Sequence, residues 1–397
     1  MNSDIELALA KDELVFYYQP KISLTSGKVS GAEALIRWIQ ADGTVKLPNS
    51  FIPAAEASGF IKDISLVMCK NLMADLVIIQ DLLPEFVMSF NLTAQDFEST
   101  ALVNCVLDNI ANYQLNPKFL QVELTETSLI KGTESVRENV QRLVDAGVSL
   151  AMDDFGTGYA SIDTLSQWPF SVVKIDQGLI KRMLTSGKST TIVEASICMA
   201  HQLGAKVVAE GVESSQLYEF LLRTGCTDAQ GFWLGKPMPL SDLIPFLELD
   251  QRWSGMPIGL IHMAQLDHIH WRRSLVAQAM SAAFVAPETT AVIAVTAELN
   301  PKKCKLGEWY YGHGQRFRGH AVFDALEKPH QELHEIAQQL VEAVQNEPDR
   351  EKITTLLRQL TQKSGEVLAI LQELENEAIL EHGGFIESSF ENFATQN

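Results

Sequence analysis

Val148-Ser149-Leu150-Ala151-Met152-Asp153-Asp154-Phe155-Gly156-Thr157-Gly158 is an apolar run of strand length that ends in two adjacent acids and opens into a glycine-flanked loop. The same pattern recurs on either side of it. β-rich runs lie at Leu14–Tyr18, Val29–Ala34, Phe86–Asn91, Leu120–Leu124, Val172–Ile175 and Lys206–Ala209. Amphipathic helical segments such as Thr133–Ala146, Lys188–Leu203 and Gln216–Thr224 separate several of them. Strands alternating with helices from about Leu14 to Phe246 allow a parallel α/β barrel or an open doubly wound sheet. Polar residues close nearly every run: Glu33, Asn91, Glu123, Asp153 with Asp154, Lys174 with Asp176, Glu210 and Gln230. The ends of that many strands converge only if the sheet closes on itself, so a TIM-type barrel is expected.

The texture changes beyond Asp250. Arg252–Pro257 holds turn formers and reads as a linker or a helix start, after which strand signals nearly vanish. Leu260–Phe284, Phe317–Asn346 and Glu351–Glu377 have apolar residues at helical spacing, which predicts an all-α bundle. Pro348-Asp349 separates the last two helices and suits a cap. The expected division is a barrel over 1–250, a helical domain over 251–380 and a flexible tail over 381–397.

With 31 Lys and Arg against 50 Asp and Glu, the net charge of −19 argues against direct binding to DNA. No apolar run is long enough to span a membrane, and the N-terminus lacks the pattern of a signal peptide. Five scattered cysteines, an odd number, do not form a disulfide framework and suit a reducing compartment. A cytoplasmic location is therefore expected.

Glu33, Glu123, Asp153, Asp154 and Glu210 are five carboxylates at strand ends, and Asn91 adds an amide oxygen. A lone acid at such a position is ordinarily a cap or a surface ion pair. Gathered at one rim without cations, five would repel one another and several would take up protons. Mg²⁺ or Mn²⁺ removes that conflict, and two ions sharing a carboxylate suit in-line attack of water on a phosphodiester. Lys174, in such a nest, could orient or deprotonate the attacking water. The loop from Asp154 through Gly156-Thr157-Gly158-Tyr159 could close over the site or could be a plain βα turn.

Glu33-Ala34-Leu35-Ile36-Arg37-Trp38 resembles the signature of the EAL-domain cyclic di-GMP phosphodiesterases. Tyr18-Gln19-Pro20, Phe90-Asn91-Leu92, Glu123-Leu124-Thr125-Glu126, Asp153–Gly158, Lys174-Ile175-Asp176, Glu210-Gly211-Val212-Glu213 and Gln230-Gly231-Phe232 follow in that family's order. The resemblance implies a barrel that cuts cyclic di-GMP to linear pGpG with two Mg²⁺ or Mn²⁺ ions. It assigns Glu33, Asn91, Glu123 and Asp153 to one ion, with Asp153 shared, and Asp154 to the other. Lys174 would position or activate water, and Glu210 and Gln230 would support the cluster of metals and water. Gln19, Leu35, Arg37, Asp176 and Pro237 would contact substrate, Arg37 through a phosphate. Glu126 would anchor the loop that begins at Asp154, and Glu213 would support structure or ligand orientation. Ala160-Ser161-Ile162 replaces the family's usual Ser pair and Leu, which removes a hydroxyl but no ligand.

Eight of the nine histidines lie beyond residue 250. His330 and His334, four apart in a helical stretch, share a face; with Cys304 and a third His they would form a tetrahedral set that favours zinc. Cys304 also lies among Lys302, Lys303 and Lys305, whose charge would lower a thiol's pKa, so a redox-sensitive thiol is the competing reading. His268-Ile269-His270-Trp271-Arg272, Cys304–Tyr310 and His330–His334 together resemble the chemoreceptor zinc-binding domain, usually dimeric. That resemblance implies one Zn²⁺ held by His268, Cys304, His330 and His334, with His270 as the alternative first ligand. Pro287–Ala294 would be an insertion between the first two ligands. The expected whole is a homodimeric phosphodiesterase regulated by zinc. The alternative is a receptor that binds cyclic di-GMP without cutting it and relays zinc or redox status to a signalling partner.

Overall fold

The computed structural model describes residues 2–125, 133–156, 162–253, 258–284, 297–346 and 349–394. Contacts divide the chain into two compact units, Met1–Gly255 and Met256–Asn397.

The first unit is a closed ring of strands. β1 (Leu14–Ser23), β2 (Val29–Ile39), β4 (Val87–Asn91), β5 (Leu120–Thr125), β6 (Ser149–Phe155), β7 (Val172–Ile175), β8 (Lys206–Ala209) and β9 (Asp228–Gln230) complete it, while β3 (Val45–Lys46) adds to the outer end of β2. From β2 through β9 the ring strands are parallel, and β1 closes the circle antiparallel to both β9 and β2. The sequence pattern predicts the barrel but not this reversal. β1 and β2 form a hairpin over Leu24–Lys28, where a parallel pair would need a crossover of a dozen residues or more. β2 and β4 approach so closely that a Cβ on Gly31 would lie 2.1 Å from the Val87 carbonyl oxygen.

Outward-facing residues of β4 and β5 (Met88, Phe90, Leu120, Val122 and Leu124) pack under the Ile61–Leu82 and Ala101–Tyr113 helices. Val173, Ile175, Val207 and Ala209 do the same under Gly187–Gln202. The interior is different. Lys21, Ser89, Gln121, Glu123, Lys174 and Gln230 are all buried there, so polar pairing replaces the aliphatic layers usual in such barrels.

The second unit is helical. Ile258–Phe284, Lys305–Tyr311, Ala321–Asp324, Glu327–Asn346 and Arg350–Ala394 enclose one apolar cluster, with a 3-10 turn at His313–Phe317. The sequence spacing predicts one helix over Phe317–Asn346, but the chain breaks near Gly319, which has φ +96°. Asp349 Oδ1 accepts the Glu351 N–H at 2.9 Å and caps the last helix. That helix runs through Gly383 and Gly384 to Ala394, over the stretch where the sequence suggests a flexible tail. No helix among the described residues is long and apolar enough to cross a membrane.

Candidate functional site

Parallel pairing brings the acids of the first unit together. Asn91 lies opposite Glu123 and Thr125 opposite Asp153, so the carboxyl ends of β4, β5 and β6 place ligand-bearing residues at one level. Lys174 on β7 sits at the centre, fully buried. Its ammonium faces Glu210 Oε1 at 2.7 Å, Asp153 Oδ1 at 3.1 Å, Glu33 Oε2 at 3.3 Å and, closer still, Glu123 Oε2. Asn91 Nδ2 donates to Glu33 Oε1 at 2.7 Å, and Gln230 Nε2 donates to Glu33 Oε2 at 2.7 Å and to Gln19 Oε1 at 3.0 Å. Gln19 in turn donates to the Gly235 carbonyl at 3.1 Å.

Burial and mutual repulsion set the protonation of this nest. Glu33 is raised by burial and then by the Glu123 carboxylate. Glu210 is pushed up to about 8, chiefly by burial. Burial would also raise Glu123, but the Lys174 and Lys21 ammonium groups outweigh it and hold the group well below the usual carboxylate range. Burial would lower Lys174, yet Asp153, Glu123, Glu210 and Glu33 keep it firmly charged. An ammonium donates through its N–H groups, so Lys174 can orient water in this nest.

Asp154 follows at the lip of the site, solvent-facing, with a left-handed backbone at φ +58°. An aspartate held there signals a strained position. Its carboxyl is raised by desolvation, then by Asp153 and Asp176. Carboxylate oxygens of Asp153, Asp154 and Glu210 lie within 4.8 Å of one another. Asp153 Oδ1 is buried, has no hydrogen-bond partner among the described residues and lies 3.1 Å from the Lys174 ammonium. Hard oxygen donors crowded together in this way fit divalent cations such as Mg²⁺ or Mn²⁺.

The other predicted residues are placed as follows. Leu35 lines a cavity of about 430 Å³ that also meets Asn91, Glu56 and Asp96. Arg37 is buried, its guanidinium bonded to the Ile36 carbonyl at 2.9 Å. Asp176 Oδ1 caps the Gln177–Arg182 helix through the Gly178 and Leu179 N–H groups. Pro237 is half-buried beside Met238, which bridges to Tyr18. Glu213 pairs with Lys181 at 2.9 Å on the surface. Glu126 and Thr157–Ser161 lie outside the described residues. Lys21, Ser89 and Gln121 were missed by the motif reading. The alternation of a strand carried past Tyr18 would have put Lys21 on the face of Gln19.

In the second unit, Cys304, His330 and His334 are buried with donor atoms within 4.8 Å of one another. His330 and His334 share the core stripe of their helix with Leu333, Ala337 and Leu340, so neither is a surface histidine. Cys304 Sγ lies 3.2 Å from His330 Nε2 and accepts the Gly307 N–H at 3.2 Å as the cap of Lys305–Tyr311. His334 Nδ1 is 2.9 Å from the Leu299 carbonyl, which suits donation and leaves Nε2 as the free donor atom. His268 lines the same cavity of about 200 Å³, but its Nε2 is engaged by Ser364 Oγ at 2.9 Å. His270 is exposed, and Pro287–Ala294 lies outside the described residues.

Burial lowers His268 to about 4, His330 to about 3 and His334 to about 4. Neutral imidazoles beside a sulfur fit zinc. Burial pushes the Cys304 thiol up to about 11. Burial, with Glu308 and Glu298, moves the thiol in the direction opposite to the one that Lys302, Lys303 and Lys305 alone would give.

Comparisons with known proteins find a family model for each of the two units. The EAL domain family model matches residues 2–237, and the chemoreceptor zinc-binding domain model matches residues 268–341. Cyclic di-GMP phosphodiesterase RocR of Pseudomonas aeruginosa is 33% identical over 237 residues, 60% of this chain and 60% of RocR. Signaling protein YkoW of Bacillus subtilis is 35% identical over 249 residues, 62% of this chain and 31% of YkoW. The chain thus spans only part of the curated relatives it matches. The solved phosphodiesterase of Pseudomonas aeruginosa MucR, in complex with c-di-GMP, superposes with a TM-score of 0.58 at 34% identity, covering 61% of this chain and 98% of that one. With the barrel, its ring of acids and a family match over more than half its length, the chain belongs to the EAL domain family.

Proposed function

We propose that the barrel hydrolyses one phosphodiester bond of cyclic di-GMP to give linear pGpG, and that zinc at the second unit regulates this. The observation that carries the reading is the convergence of Glu33, Glu123, Asp153 and Glu210 on Lys174 at one rim. The names of RocR as a phosphodiesterase and of the MucR complex support the choice of substrate.

Glu33, Asn91, Glu123 and Asp153 would hold one divalent cation, and Asp153 with Asp154 a second. Bound there, the cations supply an activated water and offset the charge of the phosphodiester. Lys174 orients that water through its N–H groups, and Gln230 fixes Glu33 from the side of Gln19. Arg37, after leaving the Ile36 carbonyl, can offer its fork to a substrate phosphate. Cys304, His330, His334 and His268 would hold one zinc ion, and a homodimer built on the helical unit would pass its state to the barrel.

Formation of pGpG is measured with Mg²⁺ or Mn²⁺, using zinc-loaded and zinc-stripped protein side by side. Turnover whose rate depends on zinc is expected. Binding of cyclic di-GMP with no pGpG in either state would replace the enzyme by a receptor. Equal rates in the two states would leave the enzyme and remove the regulator.

A further inference from the structure

The geometry points to Lys21 as a positioning residue that holds Glu123 to a single metal-facing oxygen and so tunes which divalent cation the barrel accepts. This rests on the proposal that the acid nest binds divalent cations.

Lys21 reaches its position because β1 runs antiparallel. Gln19 pairs with Glu33 at the level of the rim, while Lys21, two residues on, pairs with Gly31 near the floor. Its side chain rises through the interior from there. The ammonium is buried and bonds Ser89 Oγ at 2.5 Å and Glu123 Oε1 at 2.8 Å. Gln121, on the same face of β5 and one pair deeper, donates to the same Oε1 at 3.2 Å. The lower oxygen of Glu123 is therefore held by two donors from below. Only Oε2 turns toward Glu33, Asp153 and Glu210, where Lys174 now stands.

Mg²⁺ takes carboxylate oxygens one at a time in a tight octahedron, whereas Ca²⁺ is larger and accepts both oxygens of one carboxylate. A Glu123 that cannot turn offers the former what it needs and denies the latter its preferred grip. Lys21 does this without touching substrate or metal.

The test is calorimetric titration of Mg²⁺ and of Ca²⁺ into the full chain, loaded with zinc at the second unit, for wild type, Lys21→Met and Gln121→Leu. Lys21→Met frees Oε1 from its charged partner, so the ratio of Ca²⁺ to Mg²⁺ affinity should rise about tenfold or more, the scale on which outer partners of a ligand act. Gln121→Leu removes the weaker hold and should shift the ratio the same way by less. It also keeps the proposal testable should Lys21→Met fail to fold. An unchanged ratio in both variants, with wild-type Mg²⁺ binding that Asp153→Asn abolishes, overturns the role of Lys21 alone. Absence of Mg²⁺ binding in the wild type overturns the metal reading and this inference with it.

Discussion

At the scale of the residue, Asp154 joins two costs in one side chain. Its left-handed backbone costs about 1–2 kcal/mol relative to a residue without a Cβ, and its carboxylate adds to a crowded acid cluster. Asp154→Gly should therefore raise the stability of the barrel by about 1 kcal/mol in thermal or urea unfolding while removing phosphodiesterase activity. A destabilised Gly variant would mean that the conformation is not strained. Asp153→Asn keeps shape but removes the shared charge, and kcat should fall about 10²–10³-fold or more. The motifs made most of these acids legible, because the closing residue of a strand can be read from the chain. For Lys21 the alternation could give only the face, since its importance comes from crossing the barrel interior to reach another strand.

Helices and strands show the same division between local and distant causes. The apolar stripe of Glu327–Asn346 was readable from its spacing, and it fixed His330 and His334 on one inward face. The break near Gly319 was not, because Phe317, Val322, Phe323 and Leu326 continue a helical rhythm across it. β9 is three residues long and leaves almost no pattern of its own; its place depends on β8 and β1 beside it. The Asp349 cap makes a prediction at this scale. Asp349→Ala should cost about 1 kcal/mol in the unfolding of the helical unit, read by urea titration followed at the aromatic residues of that unit. No change would mean that the last helix starts without it.

At the scale of the molecule, the two units should lose structure under different conditions. Buried neutral histidines have folded pKa values below the ordinary 6.5. Between about pH 6.5 and 4 the unfolded chain binds protons that the folded unit refuses, so stability is present above 6.5 and is lost as pH falls. Zinc-stripped protein should show a calorimetric transition for the helical unit that moves down over this window. The paired substitutions His330→Asn and His334→Asn should flatten the slope. Added zinc should raise that transition and leave the barrel's in place. A single transition that responds as a whole would show the units to be energetically one.

The reversal of β1 has a consequence for the integrity of the ring. The parallel ring strands from β2 to β9 are joined by helical crossovers, whereas β1 enters as a hairpin arm and pairs with both neighbours. Losing that arm would unzip the circle at one seam and bare two unpaired strand edges, β2 and β9. Raw edges recruit other chains. Trimming through Ser23 would therefore convert a self-sealed molecule into a template for aggregation.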